Sequence, residues 1–389
     1  MIYDTLFVIL TDKLSELINK GEITKNYYNP GNLFSKVHII LTNDDRPDVN
    51  ILKVTVGSAE LYIHNIKSGK KLFLYSLFWR KFLLRIWVKP ILKLAELYKP
   101  QLVRCHGASI NTFIASEIKN KLKIPYIVSL HTNYDEDKRK REKKIKEKII
   151  NFFHQRIELY GLKNADLIMP VYKPIIPYLK RLKLKNYQVL YNVINPNNIM
   201  KKKNYKIQKK LKMISVGRQF KEKNPINILK AIKLIDNIEL SLVGDGFYHD
   251  YLVEQSINLG IKNKVKFFKS INNDFLCKSL RKYDIFIVHT EYWEISKSVL
   301  EALLTGLPII INRRVGLPVP ELSDKLVHYV ENTEQSYKDA ILLIRKNNEY
   351  REKLGKSAKL YSEQIWAPEI TEKRFVEVYK KFSLKKIFN

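Results

Sequence analysis

The sequence predicts an α/β fold of two domains, each built on a parallel sheet. Short, β-branched apolar runs alternate with amphipathic segments along the chain. These runs are apolar on both faces, as strands covered by helices on either side must be. The alternation occurs twice, before and after a polar, lysine-rich stretch at 192–210.

In the first half, strands are expected at 4–10, 36–42, 50–56, 102–107, 125–131, 165–171 and 187–193. Helices are expected at 82–98, 108–122 and 173–183. Each strand run is too short and too β-branched for a helix. The stretch at 192–210 carries Pro196 and a lysine cluster without periodicity, so it reads as a linker. The expected domains are 1–195 and 196–368. In the second half, strands are expected at 211–217, 238–244, 264–270, 283–289, 307–312 and 325–330. The final segment, "YSEQIWAPEITEKRFVEVYKKF", reads as a helix broken at Pro368, with 369–389 returning to the first domain.

The 389 residues suffice for two domains, and 45% hydrophobic content argues against disorder. Cys105 and Cys277 stand far apart in no metal or redox spacing, which suits a reducing cytoplasm. The apolar run near the N-terminus lies between Asp4 and Asp12 without a basic lead, so no signal peptide is expected. The longest apolar candidate, 72–92, is interrupted by Arg80, Lys81, Arg85 and Lys89, so no membrane span is expected.

A formal charge of +31 favours an anionic partner. The charge is dispersed and no nucleic-acid-binding motif accompanies it, so nucleic acid is not the expected partner. Residues 61–95 contain no Asp or Glu. They interleave Lys67, Lys70, Lys71, Arg80, Lys81, Arg85, Lys89 and Lys93 with Phe73, Tyr75, Phe78, Trp79, Phe82 and Trp87. That pattern suits an anionic membrane surface, with rings at the headgroup boundary and long basic chains reaching outward. The alternative is a core helix with solvated lysines. The expected location is cytoplasmic, peripheral on the inner face of the membrane.

Three stretches of the second half could carry chemistry. In "MISVGRQFKEKNP" a strand ends at Gly217, followed by Arg218 and by Lys223 ahead of a helix start. Two cations and free N–H groups beyond a strand's carboxyl end suit a diphosphate, although both could be solvated cations. In "LSLVGDGF", Gly244 and Gly246 permit a tight turn and close backbone approach. In "EYWEISKSVLEALLTGLPIIIN", Ser296 or Ser298 caps a helix that ends at Gly306. Glu294 at its entrance can accept hydrogen bonds from sugar hydroxyls, and Glu301 inside it from a ribose diol. An i,i+4 pair of Glu301 with Lys297 is the structural alternative.

In order and spacing, "VGRQFKEKNP", "LVGDGF", "YDIFIVHTEYWEISKSVLEALLTGLPII" and the terminal segment resemble the retaining family-4 glycosyltransferases, the glycosyl transferases group 1. The resemblance implies the GT-B fold, two Rossmann-like domains with parallel sheets facing a central cleft. It implies hexosyl transfer from a nucleotide-sugar to an acceptor hydroxyl with retention, in cell-surface polysaccharide or glycolipid assembly. The donor would bind the second domain, and a saccharide or lipid-linked acceptor the first. Arg218 and Lys223 resemble the pair that binds the donor diphosphate, with Gly217, Gly244, Ser296, Lys297 and Ser298 around them. Glu301 resembles the ribose-binding glutamate. The family's E-x7-E spacing expects the first glutamate at 293, which is Trp293 here; either the loop has lost one residue, or Glu291 or Glu294 takes its role by a shifted path. Glu294 is the catalytic candidate together with His131, which ends "PYIVSLH" and resembles a histidine near the transferred sugar. Asp135 and Asp137 spell D-x-D, a metal motif of another glycosyltransferase fold, but lie in a charge run. No metal and no cofactor is expected. The alternatives are a non-catalytic nucleotide-sugar-binding relative and a basic nucleic-acid-binding protein.

Overall fold

Among the described residues every strand pairing is parallel, so each strand must be followed by a crossover that returns the chain to the same end. The structure, a computed structural model, describes all residues except 1, 67, 70–71, 73, 76–77, 137–144, 196–197 and 385–389. The chain divides into two units, Met1–Val193 with Thr371–Asn389, and Ile194–Ile370.

Unit 1 contains β1 (Tyr3–Leu10), β2 (Phe34–Leu41), β3 (Glu60–Asn65), β4 (Leu102–His106), β5 (Tyr126–Leu130) and β6 (Leu167–Pro170). Their order is β3-β2-β1-β4-β5-β6, so the order reverses between β1 and β4. Alternate residues of each strand serve opposite faces. Phe7, Ile9, Val103 and Cys105 pack under the helices Lys81–Tyr98 (α1), Ile110–Leu122 (α2) and Ile145–Asn164 (α3). Leu6, Val8, Leu102 and Ile127 pack on the other face with Phe375, Val378, Tyr379 and Phe382.

Unit 2 contains β7 (Leu211–Val216), β8 (Ile238–Val243), β9 (Val265–Phe268), β10 (Ile285–Val288), β11 (Ile309–Asn312) and β12 (His328–Val330). Their order is β12-β11-β10-β7-β8-β9, which reverses between β7 and β10. The crossovers include α4 (Ile226–Lys233), α5 (His249–Asn258), α6 (Asn273–Leu280) and α7 (Lys297–Thr305). After β12 come α8 (Glu334–Lys346), α9 (Asn348–Ile365) and α10 (Pro368–Leu384). The terminal helical segment is broken between Ile365 and Pro368, where a proline forbids continuation. From Thr371 onward the chain belongs to unit 1.

Two expected strands are corrected. Residues 50–56 form helical turns, Val49–Leu52 and Lys53–Val56. The Asp48 side chain caps the first by accepting from Asn50 N and Ile51 N. The run's Leu52 and Val56 are both buried, an i,i+4 spacing that the β-branched residues masked. The third strand of the sheet is β3 instead, an edge strand whose polar alternation hid it. Residues 187–193 form no strand beyond a single bridge from Tyr187 to Ile168. Among the described residues, no helix is long and apolar enough to cross a membrane.

Candidate functional site

In unit 2 the loops leaving β7, β8, β10 and β11 meet beyond the carboxyl ends of the strands. They form a recess lined by Gly217, Arg218, Gln219, Lys223, His289, Glu294, Ser296 and Arg314, among others. It lies where the strand order reverses, the usual ligand position in an open parallel sheet.

Glycine makes the close backbone approach possible. Gly217 N donates to Val243 O at 3.0 Å, and a Cβ on Gly244 would overlap Gly217 O. Gly244 has φ +143° and Gly246 φ +152°, where side-chain-bearing residues are strained. The loop after β7 therefore lies directly on the loop after β8, with Gln219 N donating to Asp245 O at 2.9 Å.

Arg218 is exposed. Lys223 forms an ion pair with Glu294 across the recess, and its Nζ sits 5.2 Å from the Tyr292 ring centroid. Ser296 is the N-cap of α7, its hydroxyl accepting from Val299 N at 3.3 Å. Ser298 Oγ donates to Val216 O at 3.1 Å and so ties the start of α7 to the end of β7. Gly217, Arg218, Lys223, Glu294 and Ser296 thus line one recess, and Gly244 and Ser298 buttress it.

Glu301 and Lys297 stand apart from that lining. Glu301 is buried, accepts from Asn273 Nδ2 at 3.2 Å, and lies 3.9 Å from Lys297 Nζ. Lys297 also donates to Asn273 Oδ1 at 3.3 Å, so the i,i+4 pair exists within a wider network. Burial, and then the Glu301 carboxylate beside it, pushes the Cys277 thiol up.

Trp293, at the strict glutamate spacing, has partners of its own. Trp293 Nε1 donates to Val315 O at 2.9 Å, and a Cβ on Gly316 would lie 2.6 Å from the indole. The ring is turned onto the loop after β11. Glu294, the next residue, takes the place facing Lys223, while Glu291 is exposed and lies outside the recess.

Sequence reasoning missed two residues here. Arg314 donates to Tyr292 O at 3.3 Å and Glu294 O at 3.2 Å, holding the glutamate loop by its backbone. Gln219 is buried, and its Oε1 lies 2.8 Å from His249 Nδ1. Its Nε2 has no hydrogen-bond partner among the described residues. A buried amide donor left unpaired beside a recess is poised for a ligand acceptor. Its only sequence signal was its place after Arg218.

His131 belongs to unit 1 and follows β5. Its backbone carbonyl accepts from Tyr172 Oη at 2.8 Å. Its ring stacks on His106, centroids 5.7 Å apart. The Nε2 of each ring is buried without a hydrogen-bond partner among the described residues. Burial, with Arg104 nearby, pushes His131 down to about 4 and His106 well below its ordinary value. Arg104 is buried on β4 between Val103 and Cys105, a cation that sequence reasoning passed over. Asp135 accepts from Arg181 through both oxygens, at 2.6 and 2.5 Å, and Asp137 lies outside the described residues.

Residues 36–198 match the family model Glycosyltransferase Family 4, and residues 196–361 match Glycosyl transferases group 1. An uncharacterized glycosyltransferase of Methanocaldococcus jannaschii is 24% identical over 241 residues. That match covers 56% of this chain and 59% of the relative, less than two thirds of its length. Sucrose-phosphate synthase from Thermosynechococcus elongatus superposes with TM-score 0.73 at 14% identity, covering 98% of this chain and 99% of the other. Anabaena HepE in complex with UDP gives TM-score 0.71 at 14% identity, covering 97% and 100%. These structural likenesses establish the GT-B fold.

The unit 1 histidines carry a pH dependence. His38, buried beside His64, is likewise pushed down to about 4, by burial first. An unfolded histidine titrates near 6.5. Below that value the unfolded chain binds protons that the folded chain refuses, so these groups lower stability as pH falls from about 6.5 toward 4. The urea midpoint of unit 1 should drop between pH 7 and pH 5, and His131→Gln should flatten the slope. A midpoint constant over that range would mean that these rings accept protons in the fold.

Proposed function

The chain belongs to the family-4, group 1 glycosyltransferases, and from that premise we propose that it moves a sugar from a nucleotide-sugar to an acceptor hydroxyl, with retention at the anomeric carbon. The observation that carries this reading is the convergence of Arg218, Lys223 and the Gln219 amide with the N-terminal turn of α7 in one recess. Cations, an unpaired amide and a helix N-terminus together stabilise a diphosphate leaving group as its charge develops. Lys223 pairs with Glu294 and can exchange that partner for a phosphate oxygen. Glu294 is then released to accept from the sugar's hydroxyls. Glu301 takes the ribose hydroxyls beside Asn273 and Lys297. The histidine that the family resemblance assigns to the transferred sugar is His131, whose Nε2 has no hydrogen-bond partner among the described residues. The donor phosphate takes the acceptor proton on the same face, so no side-chain nucleophile is required. HepE was crystallised with UDP, which makes UDP-sugars the first donors to screen beside GDP-, ADP- and CMP-sugars.

The true donor should raise the melting temperature by mass action. Arg218→Ala and Glu301→Gln should each lower transfer by about 10²-fold or more, the usual effect of removing a charge-stabilising contact. Turnover at the wild-type level with saturating donor would remove that residue from the site.

No metal or cofactor takes part in this reading, because the protein supplies the cations. Transfer should therefore persist in excess EDTA. Loss of activity that Mn²⁺ restores would overturn metal independence.

We place the acceptor at a membrane, as a glycolipid or a lipid-linked saccharide. Along α1, Phe82 is 74% exposed and Leu97 69%, with Ile86, Lys89 and Lys93 exposed between them. The stripe combines apolar and basic side chains on one helix face. Trp79 and Trp87 pack against the core instead, and Arg85 pairs with Glu117 at 2.8 Å. Lys67, Lys70, Lys71 and Phe73 lie outside the described residues. Each basic side chain near an anionic surface contributes about 1 kcal/mol. The protein should co-sediment with anionic vesicles at low salt and not with neutral ones. Lys89→Glu with Lys93→Glu should weaken that binding while donor hydrolysis continues; no binding to anionic vesicles would sink the idea.

A further inference from the structure

Beside the recess, unit 2 carries a second concavity that the proposed transfer leaves unused. It is an open groove of about 470 Å³, shared with the recess at His289. Its apolar part is aromatic. Phe247 is 94% exposed and Tyr251 40%. Phe220 lies 6.2 Å from Phe247 between centroids, tilted by 31°, and Tyr248 meets Tyr251 edge-on at 5.4 Å. Large apolar groups left in water beside a concavity mark ligand grooves more often than chance.

The rest of the lining is polar, and its hydrogen-bonding capacity is available. Lys221 and Glu291 are exposed, and neither forms an ion pair with a described residue. Asn224 uses its carbonyl to accept from Ile226 N at 3.0 Å. Asn332 uses its carbonyl to accept from Asn227 Nδ2 at 3.1 Å. Both keep their amide N–H groups for donation. The groove therefore offers ring faces, three donors and one carboxylate acceptor.

That combination matches a pyranose. One face of the sugar ring presents C–H groups that pack on the negative face of an aromatic ring. Its edge presents hydroxyls, each able to donate and accept. A nucleobase would also stack on Phe247. However, Glu301, the proposed ribose ligand, has Asn273 and Lys297 for neighbours, and neither lines the groove. An apolar lipid surface would leave the polar edge unpaired.

We infer that this groove is a saccharide-binding subsite, built to hold the sugar chain of an acceptor apart from the reacting hydroxyl. Glu291 thereby acquires a role as a hydroxyl acceptor rather than as the first glutamate of the transfer site. That the saccharide is the acceptor rests on the proposed transfer; the binding does not.

The test uses the full chain without donor. Maltohexaose, cellohexaose, laminarihexaose and chitohexaose are titrated by calorimetry and by saturation-transfer NMR. At least one should bind at concentrations up to about 10 mM, and Phe247→Ala with Tyr251→Ala should weaken it about tenfold or more. The melting temperature and the shift produced by UDP should stay as in the wild type, because both side chains are exposed. Glu291→Gln should weaken binding by about threefold or more. No binding of any of the four, or a double variant within about twofold of wild type, would overturn the inference. Loss of the UDP shift in the double variant would reassign the rings to the nucleobase. Loss of vesicle binding with saccharide binding intact would reassign them to a membrane. Saccharide binding without any transfer would defeat the catalytic reading alone.

Discussion

A parallel sheet buried on both faces is the constraint from which the rest of the protein follows. Its strands must be apolar on both sides, because helices cover both. Its crossovers must all return to one end, so the loops at the other end gather together. In unit 2 that end holds the segments from Gly217 to Lys223, from His289 to Ser296, and Arg314. These side chains sit far apart in sequence and meet because their strands are neighbours in the order β11-β10-β7-β8. The absence of a Cβ at Gly244 and Gly246 lets one loop rest on the next. Polar chemistry is thereby confined to a rim, above a core that tolerates almost none.

The Lys223–Glu294 pair belongs to that rim and joins the loop after β7 to the loop after β10. Its side chains are 19% and 22% exposed. A pair that is neither fully solvated nor sealed keeps moderate strength and remains exchangeable. The geometry of Glu294 does not depend on the pair alone. Arg314 grips the same loop through carbonyl oxygens, and Trp293 pins it onto Gly316. The loop is fixed by backbone contacts, while its charged side chain is free to change partner. That division suits a group that must meet a ligand without losing its position.

Legibility followed the physics of burial. The central strands were readable because complete burial imposes an apolar run, as in "TLFVIL" and "IIIN". The edge strand β3 was not, because half-burial relaxes that demand and leaves "ELYIHN" looking like a loop. Residues 50–56 misled because four β-branched residues outweighed a capping aspartate two positions upstream. At the site, Arg218, Lys223 and the α7 N-cap were legible as charges and a cap at strand ends. Gln219 and Arg314 were not, since an amide next to an arginine and one of two adjacent arginines carry no pattern of their own. The Glu294–Glu301 pair was legible only as an irregular spacing. At the strict spacing stands Trp293, whose ring lies against Gly316, a residue that follows one helix and one strand later.

Unit 1 applies the same constraint with an exception at its centre. Arg104 lies on β4, beside the reversal of strand order, and is 2% exposed. It forms no ion pair with a carboxylate among the described residues. It donates instead to Tyr27 O at 2.9 Å and Tyr379 Oη at 2.8 Å, and its guanidinium lies 5.1 Å from the rings of Tyr27 and Phe375. Burial opposes its charge, but Tyr379 and Tyr27 outweigh that effect and hold its pKa above the ordinary value. A buried cation retained on ring faces and dipoles raises the cost of any second positive charge beside it. His106 and His131 are those neighbours, and both stay neutral at ordinary pH. A neutral imidazole can hold a sugar hydroxyl but has no spare proton to give. In the transfer proposed for this protein the acceptor proton goes to the donor phosphate, a route that asks no proton of a histidine held neutral.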